Sequence, residues 1–123
     1  MVRASGISGR RALPLGSTPK PGSSAATLGY PGGGPYSIGP ARMGNTTRIP
    51  DLAFRGQAIP DPVTSFRVTS AGPGSSGGPV VNARGRVVTM IFGGGRNTGF
   101  GVPTKFIRSA LRRAGPTVDT EDC

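Results

Sequence analysis

Glycine and proline constrain this chain more than any other feature: 22 glycines and 13 prolines fill 35 of its 123 positions. Proline withdraws a backbone donor and glycine loses the most entropy on ordering, so long helices and wide central strands are excluded wherever the two are dense. Such a level without a repeat is the mark of low complexity, but here the distribution is uneven. Much of the Gly, Pro and Ser lies in residues 1–40, whereas residues 63–114 read as apolar runs punctuated by short turn signals. That is the pattern of an ordered, β-rich segment.

Residues 12–24 are dense in turn formers and read as a connecting loop, followed by a short strand over Ala25–Tyr30. Tyr30-Pro31-Gly32-Gly33-Gly34-Pro35 suits neither a helix nor a central strand and reads as a loop with no chemical role of its own. Ser37–Arg48 and Val63–Thr69 alternate as half-buried strands do, with Thr64, Phe66 and Val68 on one parity and Ser65, Arg67 and Thr69 on the other, which turns Arg67 to solvent. Val80–Asn82 and Arg86–Phe92 flank Ala83-Arg84-Gly85, where glycine permits a positive φ, and this predicts a hairpin. Thr98–Val102 adds a strand. Pro103 and Thr104 then open a helix with Phe106, Ile107, Ala110, Leu111 and Ala114 at helical spacing, which Gly115-Pro116 ends. Arg108, Arg112 and Arg113 complement the C-terminal half of that helix through its dipole, without any ligand.

The net charge of +10 and isoelectric point near 11.7 invite an anionic partner. The basic residues are, however, spread from Arg3 and Arg10 to Arg112 and Arg113, without interleaved aromatic residues and without a helix-turn-helix, zinc-finger or RNA-recognition motif. A solvated surface is the expectation, and no nucleic-acid partner. No apolar run approaches the roughly 18–20 residues of a membrane-spanning helix, nor does the N-terminus carry the apolar core of a secretory signal. Cys123 is the only cysteine and there is no histidine, so neither an internal disulfide nor a thiolate or imidazole metal site is expected.

Three patterns overlap at one place. Gly72, Gly74 and Gly77 match G-x-G-x-x-G, the dinucleotide fingerprint, which must open a helix and needs an acidic residue about 20 positions on. Here Pro79-Val80-Val81 resumes a strand, and Gly95, Arg96 and Asn97 occupy the acidic position. Gly74-Ser75-Ser76-Gly77-Gly78 also matches G-x-S-x-G, the nucleophile elbow, and the same β-branched run argues against the helix it requires. The third pattern is G-x-S-G-G-P followed by a hairpin, in Gly74 to Pro79. Glycines free of Cβ let such a loop fold so that two amides point at one developing oxyanion. On this reading Ser76 is the nucleophile and the Gly74 and Ser76 amides form the oxyanion hole, each donor being worth about 3–4 kcal/mol in such sites.

This serine loop resembles that of the trypsin-like, chymotrypsin-fold serine peptidases, particularly bacterial ones such as the Deg proteases. Leu28-Gly29-Tyr30-Pro31-Gly32-Gly33-Gly34-Pro35 and Pro40-Ala41-Arg42 are similar to the membrane-anchored, periplasmic acid-resistance serine peptidases of mycobacteria and related actinobacteria. With Thr98-Gly99-Phe100, the likeness covers residues 12–114; Ser75 departs from it, since that family more often has Asp or Asn before the nucleophile. The resemblance implies an all-β fold, the second, C-terminal β-barrel of a double-barrel enzyme with a C-terminal helix. It divides the chain into the end of the first barrel and the inter-barrel linker (1–24), the barrel with its serine loop (25–103), the helix (104–115) and a tail (116–123). It also implies a protein or peptide substrate, no metal or cofactor, and a location on the periplasmic or extracellular side of the membrane. Ser70 and Ala71 would line one wall of the primary specificity pocket, Phe92, Gly93 and Gly94 another, and Gly99 a third; none is charged, which implies small or apolar side chains before the scissile bond.

A serine needs a base, and this family uses a histidine oriented by a buried aspartate, both in the first barrel. The chain has no histidine. Met1-Val2-Arg3-Ala4-Ser5-Gly6-Ile7 resembles the end of the strand that begins with that aspartate, so the chain is expected to start just after it and to lack its partner barrel. Asp51 and Asp61 fall within the serine's own barrel and read as loop residues, and Lys20 and Lys105 are the only lysine candidates for a base. The chain alone is therefore expected to be nearly inactive, with Val80, Val87 and Ile91 incompletely covered for want of the other barrel. The rival readings are a truncated or pseudo-peptidase acting as a binding module and, further off, a basic nucleic-acid-binding protein.

Overall fold

The computed structural model describes Gly9, residues 11–49, 53–54, 57–58, 62–69 and 72–114. Six antiparallel strands close on themselves in the order β1-β2-β5-β8-β7-β6. They are β1 (Ser24–Gly29), β2 (Ser37–Thr47), β5 (Val63–Val68), β6 (Pro79–Asn82), β7 (Val87–Gly94) and β8 (Thr98–Pro103). Between β2 and β5, β3 (Ala53–Phe54) and β4 (Gln57–Ala58) form a two-residue ribbon, and α1 (Thr104–Arg113) follows β8. The seam is made by β1 and β6, pairing Ala25 with Asn82, Ala26 with Val81 and Thr27 with Val80. Among the described residues no helix is long and apolar enough to cross a membrane.

The alternation in β5 emerges as expected: Thr64, Phe66 and Val68 are buried, while Arg67 and Thr69 face solvent. Phe66 packs with Met43, Val68, Val80, Val88 and Ile91 in one core inside the barrel. The two threonines sealed in with them are satisfied. Thr64 shares a 2.9 Å hydrogen bond with the Thr46 hydroxyl, and Thr89 Oγ1 donates to the Val102 carbonyl at 2.9 Å. Such pairing keeps a buried hydroxyl from costing its full desolvation.

The expected hairpin forms around Asn82, whose Oδ1 accepts from the Arg84 and Arg86 amides at 3.0 and 3.1 Å while Gly85 takes a φ of +68°. The loop closes through Asn82 N to Arg86 O at 2.9 Å, and beyond it Val88 is the extra residue at which the register shifts between Val80 and Val81.

Four expectations need amendment. The Tyr30–Pro35 stretch holds one 3-10 turn, Pro31–Gly33, because three residues suffice for an i to i+3 bond even where proline and glycine bar a longer helix. Val80, Val87 and Ile91 are 0%, 8% and 3% exposed: Val80 and Ile91 belong to the core inside the barrel, Val87 lies beside the Pro14–Gly16 segment, and none needs a second barrel to cover it. Leu111, at helical spacing with Phe106 and Ile107, is 51% exposed, although α1 packs on β7 and β8. Arg108 does more than complement a dipole: its Nη2 donates to the Leu15 and Gly16 carbonyls at 3.0 and 2.8 Å. That bond ties α1 to the segment before β1, which also adds to the barrel through Gly16 N to Val87 O (2.7 Å) and Val87 N to Pro14 O (2.9 Å). Gly115 and Pro116 lie outside the described residues.

Removing the Phe66 ring leaves a cavity at the centre of this core. Phe66→Ala is expected to lower unfolding free energy by about 3–5 kcal/mol, against less than about 0.5 kcal/mol for Arg67→Ala on the outer face, measured by urea denaturation.

Candidate active site

Before β6 the chain makes two consecutive turns from Gly72 to Gly78. In the first, Ser75 N donates to Gly72 O at 3.3 Å; in the second, Gly78 N donates to Ser75 O at 3.0 Å. Gly74 and Gly77 hold the third position of each, with φ of +89° and +85°, the geometry of type II turns. Gly74 is confined twice over, since a Cβ there would also meet the Tyr30 carbonyl and the Gly32 amide at 3.2 Å. At Gly78 the limit is space: a Cβ would approach the Leu28 and Ser75 carbonyls to 2.8 and 2.9 Å.

The exit of the loop is fastened to β7 by Gly77 N to Ile91 O (2.7 Å) and Ile91 N to Gly78 O (3.0 Å). Its entry is fastened to the Tyr30–Gly34 turn by Gly32 N to Pro73 O at 2.7 Å. Between the two anchors Ser76 is exposed, its hydroxyl donating to the Phe92 carbonyl at 3.5 Å, a length at which the bond is weak and leaves Oγ loosely held.

From Gly74 to Gly78 the amides divide. Those of Ser75, Gly77 and Gly78 are engaged, whereas those of Gly74 and Ser76 have no acceptor among the described residues. Amide donors that lack an acceptor near an exposed hydroxyl suit a negatively charged oxygen, which they meet with little reorganisation.

Of the expected pocket residues, Phe92, Gly93 and Gly94 form the end of β7, where the ladder to β8 shifts register between Ile91 and Gly93 and then pairs Gly94 with Gly99. Gly99 is buried against the Phe66 ring. Ser70 and Ala71 lie outside the described residues, as do Asp51 and Asp61. A cavity of about 230 Å³ lies between Thr27, Leu28, Pro31, Ile38, Ser75 and Ile91, and none of the expected pocket residues lines it. Lys20 is exposed in its loop, and Lys105, exposed at the start of α1, sets its Nζ 4.7 Å from the centre of the Phe106 ring; neither bonds to Ser76. No carboxylate side chain is among the described residues.

Sequence reasoning missed the contact between the Tyr30–Gly34 turn and the serine loop. The signal was present as Pro73-Gly74, a type II turn pair whose central carbonyl needs a donor from elsewhere.

Comparison with known proteins bears on the family and the fold. The family model described as "Trypsin-like peptidase domain" matches residues 1–90. Serine protease Rv3671c of Mycobacterium tuberculosis (strain ATCC 25618 / H37Rv) is 33% identical over 104 residues, covering 80% of this chain and 26% of the relative. The crystal structure of the M. tuberculosis Rv3671c protease in its active form superposes with a TM-score of 0.76 at 28% identity, over 94% of this chain and 54% of that one. A serine endoprotease from Yersinia pestis shares the fold, with a TM-score of 0.67 at 19% identity, over 86% of this chain and 36% of that one. The chain thus spans about a quarter of the curated relative's length and about half of the solved domain.

Because its Cβ has nowhere to go, Gly78→Ala is expected to lower the melting temperature by several degrees. Gly95→Ala, where nothing lies within 4 Å of a Cβ, serves as the control and is expected to change it little; differential scanning calorimetry reads both.

Proposed function

Since the chain belongs to the trypsin-like peptidase domain family, we propose that it is the serine-bearing barrel of an endopeptidase that cleaves proteins by acyl transfer through Ser76. One observation carries this reading: the only amides between Gly74 and Gly78 without an acceptor among the described residues are the two the mechanism needs, those of Gly74 and Ser76. Ser76 Oγ attacks the scissile carbonyl, and the carbonyl oxygen, now negative, takes hydrogen bonds from those two amides. The loop is already folded by its own turns and by β7, so little reorganisation accompanies the charge.

The proton of Ser76 must go to a base, and the 123 residues contain no histidine. The histidine and its aspartate are supplied by a first barrel outside this stretch, to which residues 1–24 form the connection. The 123 residues alone are therefore nearly inactive; the same lack of histidine favours a binding role for them if no such barrel exists. The family resemblance supports action on the outer side of the cytoplasmic membrane.

The test is active-site labelling. In a protein extended upstream by a segment bearing the histidine and aspartate, a fluorophosphonate is expected to label Ser76 and to lose that label in Ser76→Ala, with turnover of a peptide substrate falling by about 10⁶. Equal labelling of the two proteins refutes the assignment.

Substrate preference follows from the family pattern, in which the positions of Ser70, Ala71, Phe92, Gly93, Gly94 and Gly99 line the specificity pocket and here carry no charge. A lysine before the scissile bond enters without a counter-charge. Peptides with Ala or Val there are expected to exceed their Lys counterparts in kcat/KM by at least about tenfold, measured on a matched peptide series.

A further inference from the structure

Three residues stand in one row across the outside of the barrel. Arg42 on β2 is paired with Arg67 on β5, and Arg67 with Thr98 on β8. All three are exposed, while their neighbours Met43, Phe66 and Val68 are buried, so the three side chains share the solvent side. Like charges set directly opposite each other on adjacent strands repel, and no described residue carries a carboxylate to offset them. The row therefore holds two positive charges side by side with no counter-charge among the described residues.

Beside the row the surface is hollow. Between the pairs Met43–Phe66 and Thr46–Thr64 the register shifts, so that Gly44 and Asn45 oppose Ser65 alone, which is a bulge. Gly44 puts no side chain there, and a Cβ would meet Ser65 Oγ. The result is a hollow of about 300 Å³ lined by Gly22, Arg42, Gly44, Ser65, Arg67 and Thr98. Arg42 Nη1 donates to Gly22 O at 2.9 Å and Gly22 N to Met43 O at 2.7 Å, which seats the Arg42 head at the rim. That uses one of the five donors a guanidinium carries. The Arg67 guanidinium and the Thr98 hydroxyl donate to no described residue.

We propose that this hollow is a binding site for a phosphate dianion, held by Arg42 and Arg67 with the Thr98 hydroxyl. The charge of the ligand follows from the number of cations. A single carboxylate neutralises one guanidinium, whereas a phosphate group brings close to two negative charges and enough oxygens to accept from both arginines. Arg42, already tied to Gly22, has little freedom left to lose on binding. A free phosphate ion and a phosphomonoester on a larger molecule present the same chemistry. The site does not rest on the peptidase reading, since none of its residues belongs to the serine loop or to the expected specificity pocket.

Inorganic phosphate is titrated into the 123-residue chain at about pH 8, above the second pKa of a phosphate group, with sodium chloride holding the ionic strength constant. The arginine Cδ–Hδ NMR signals of Arg42 and Arg67 are expected to shift and saturate together, while that of Arg84 on the hairpin stays in place. Arg67→Gln is expected to weaken binding by at least about tenfold, and Arg84→Gln, which removes the same charge elsewhere, by less than about twofold. Acetate in place of phosphate is expected to bind at least about tenfold more weakly. Phosphate also raises the melting temperature of the parent but not of Arg67→Gln, whose own stability in chloride stays near the parent's because its side chain lies outside the core. Shifts that do not saturate, an equal response to acetate, or equal losses in Arg67→Gln and Arg84→Gln overturn the proposal. A second titration with N-acetylphosphoserine amide separates the sources. Affinity equal to that of inorganic phosphate points to a phosphate carried on a larger molecule, and affinity lower by about tenfold or more points to the free ion.

Discussion

Three residue pairs, Ala25–Asn82, Ala26–Val81 and Thr27–Val80, close β1 onto β6, and the rest of the molecule depends on that seam. A closed antiparallel barrel leaves no strand edge without partners, and every inward residue then faces others of its kind. Val80 sits on the seam itself and is 0% exposed. Closure also sets the two sides of the serine loop: β1 leads into the Tyr30–Gly34 turn that meets its entry, and β6 receives its exit.

The site follows from this scaffold through the backbone more than through side chains. Ser76 is exposed, and around it the loop is held by amides and carbonyls of glycines, prolines and Ile91. Backbone dipoles suit an oxyanion because their direction is determined by turns that are already folded, and no rotamer has to be frozen when charge appears. The same design explains the glycine content near the loop, where Gly74 and Gly78 pack against carbonyls of neighbouring segments at distances that exclude a Cβ.

Reading the residues alone went far in the second half of the chain. The alternation through Thr64, Phe66 and Val68, the hairpin about Ala83-Arg84-Gly85 and the helix after Pro103 are all local patterns, set by side-chain periodicity and turn chemistry within a few residues. The errors came where distant segments meet. Val80, Val87 and Ile91 read as wanting a second barrel because a lone strand has two faces; closure turns Val80 and Ile91 inward, and the distant Pro14–Gly16 segment lies against Val87. Arg108 was explained by its own helix, although the carbonyls it binds lie at Leu15 and Gly16, more than ninety residues earlier.

The sequence by itself determined that Ser76 lies in a glycine-rich loop between strands, that no histidine accompanies it, and that the chain is β-rich, because residue identity and short-range spacing carry that information. The tertiary structure decided which amides of the loop find an acceptor among the described residues. Whether an N–H is free depends on what packs beside it: Ile91 takes the amide of Gly77, and Gly32 takes the carbonyl of Pro73. Those partners come from separate strands and turns, brought together by barrel closure and not by proximity along the chain.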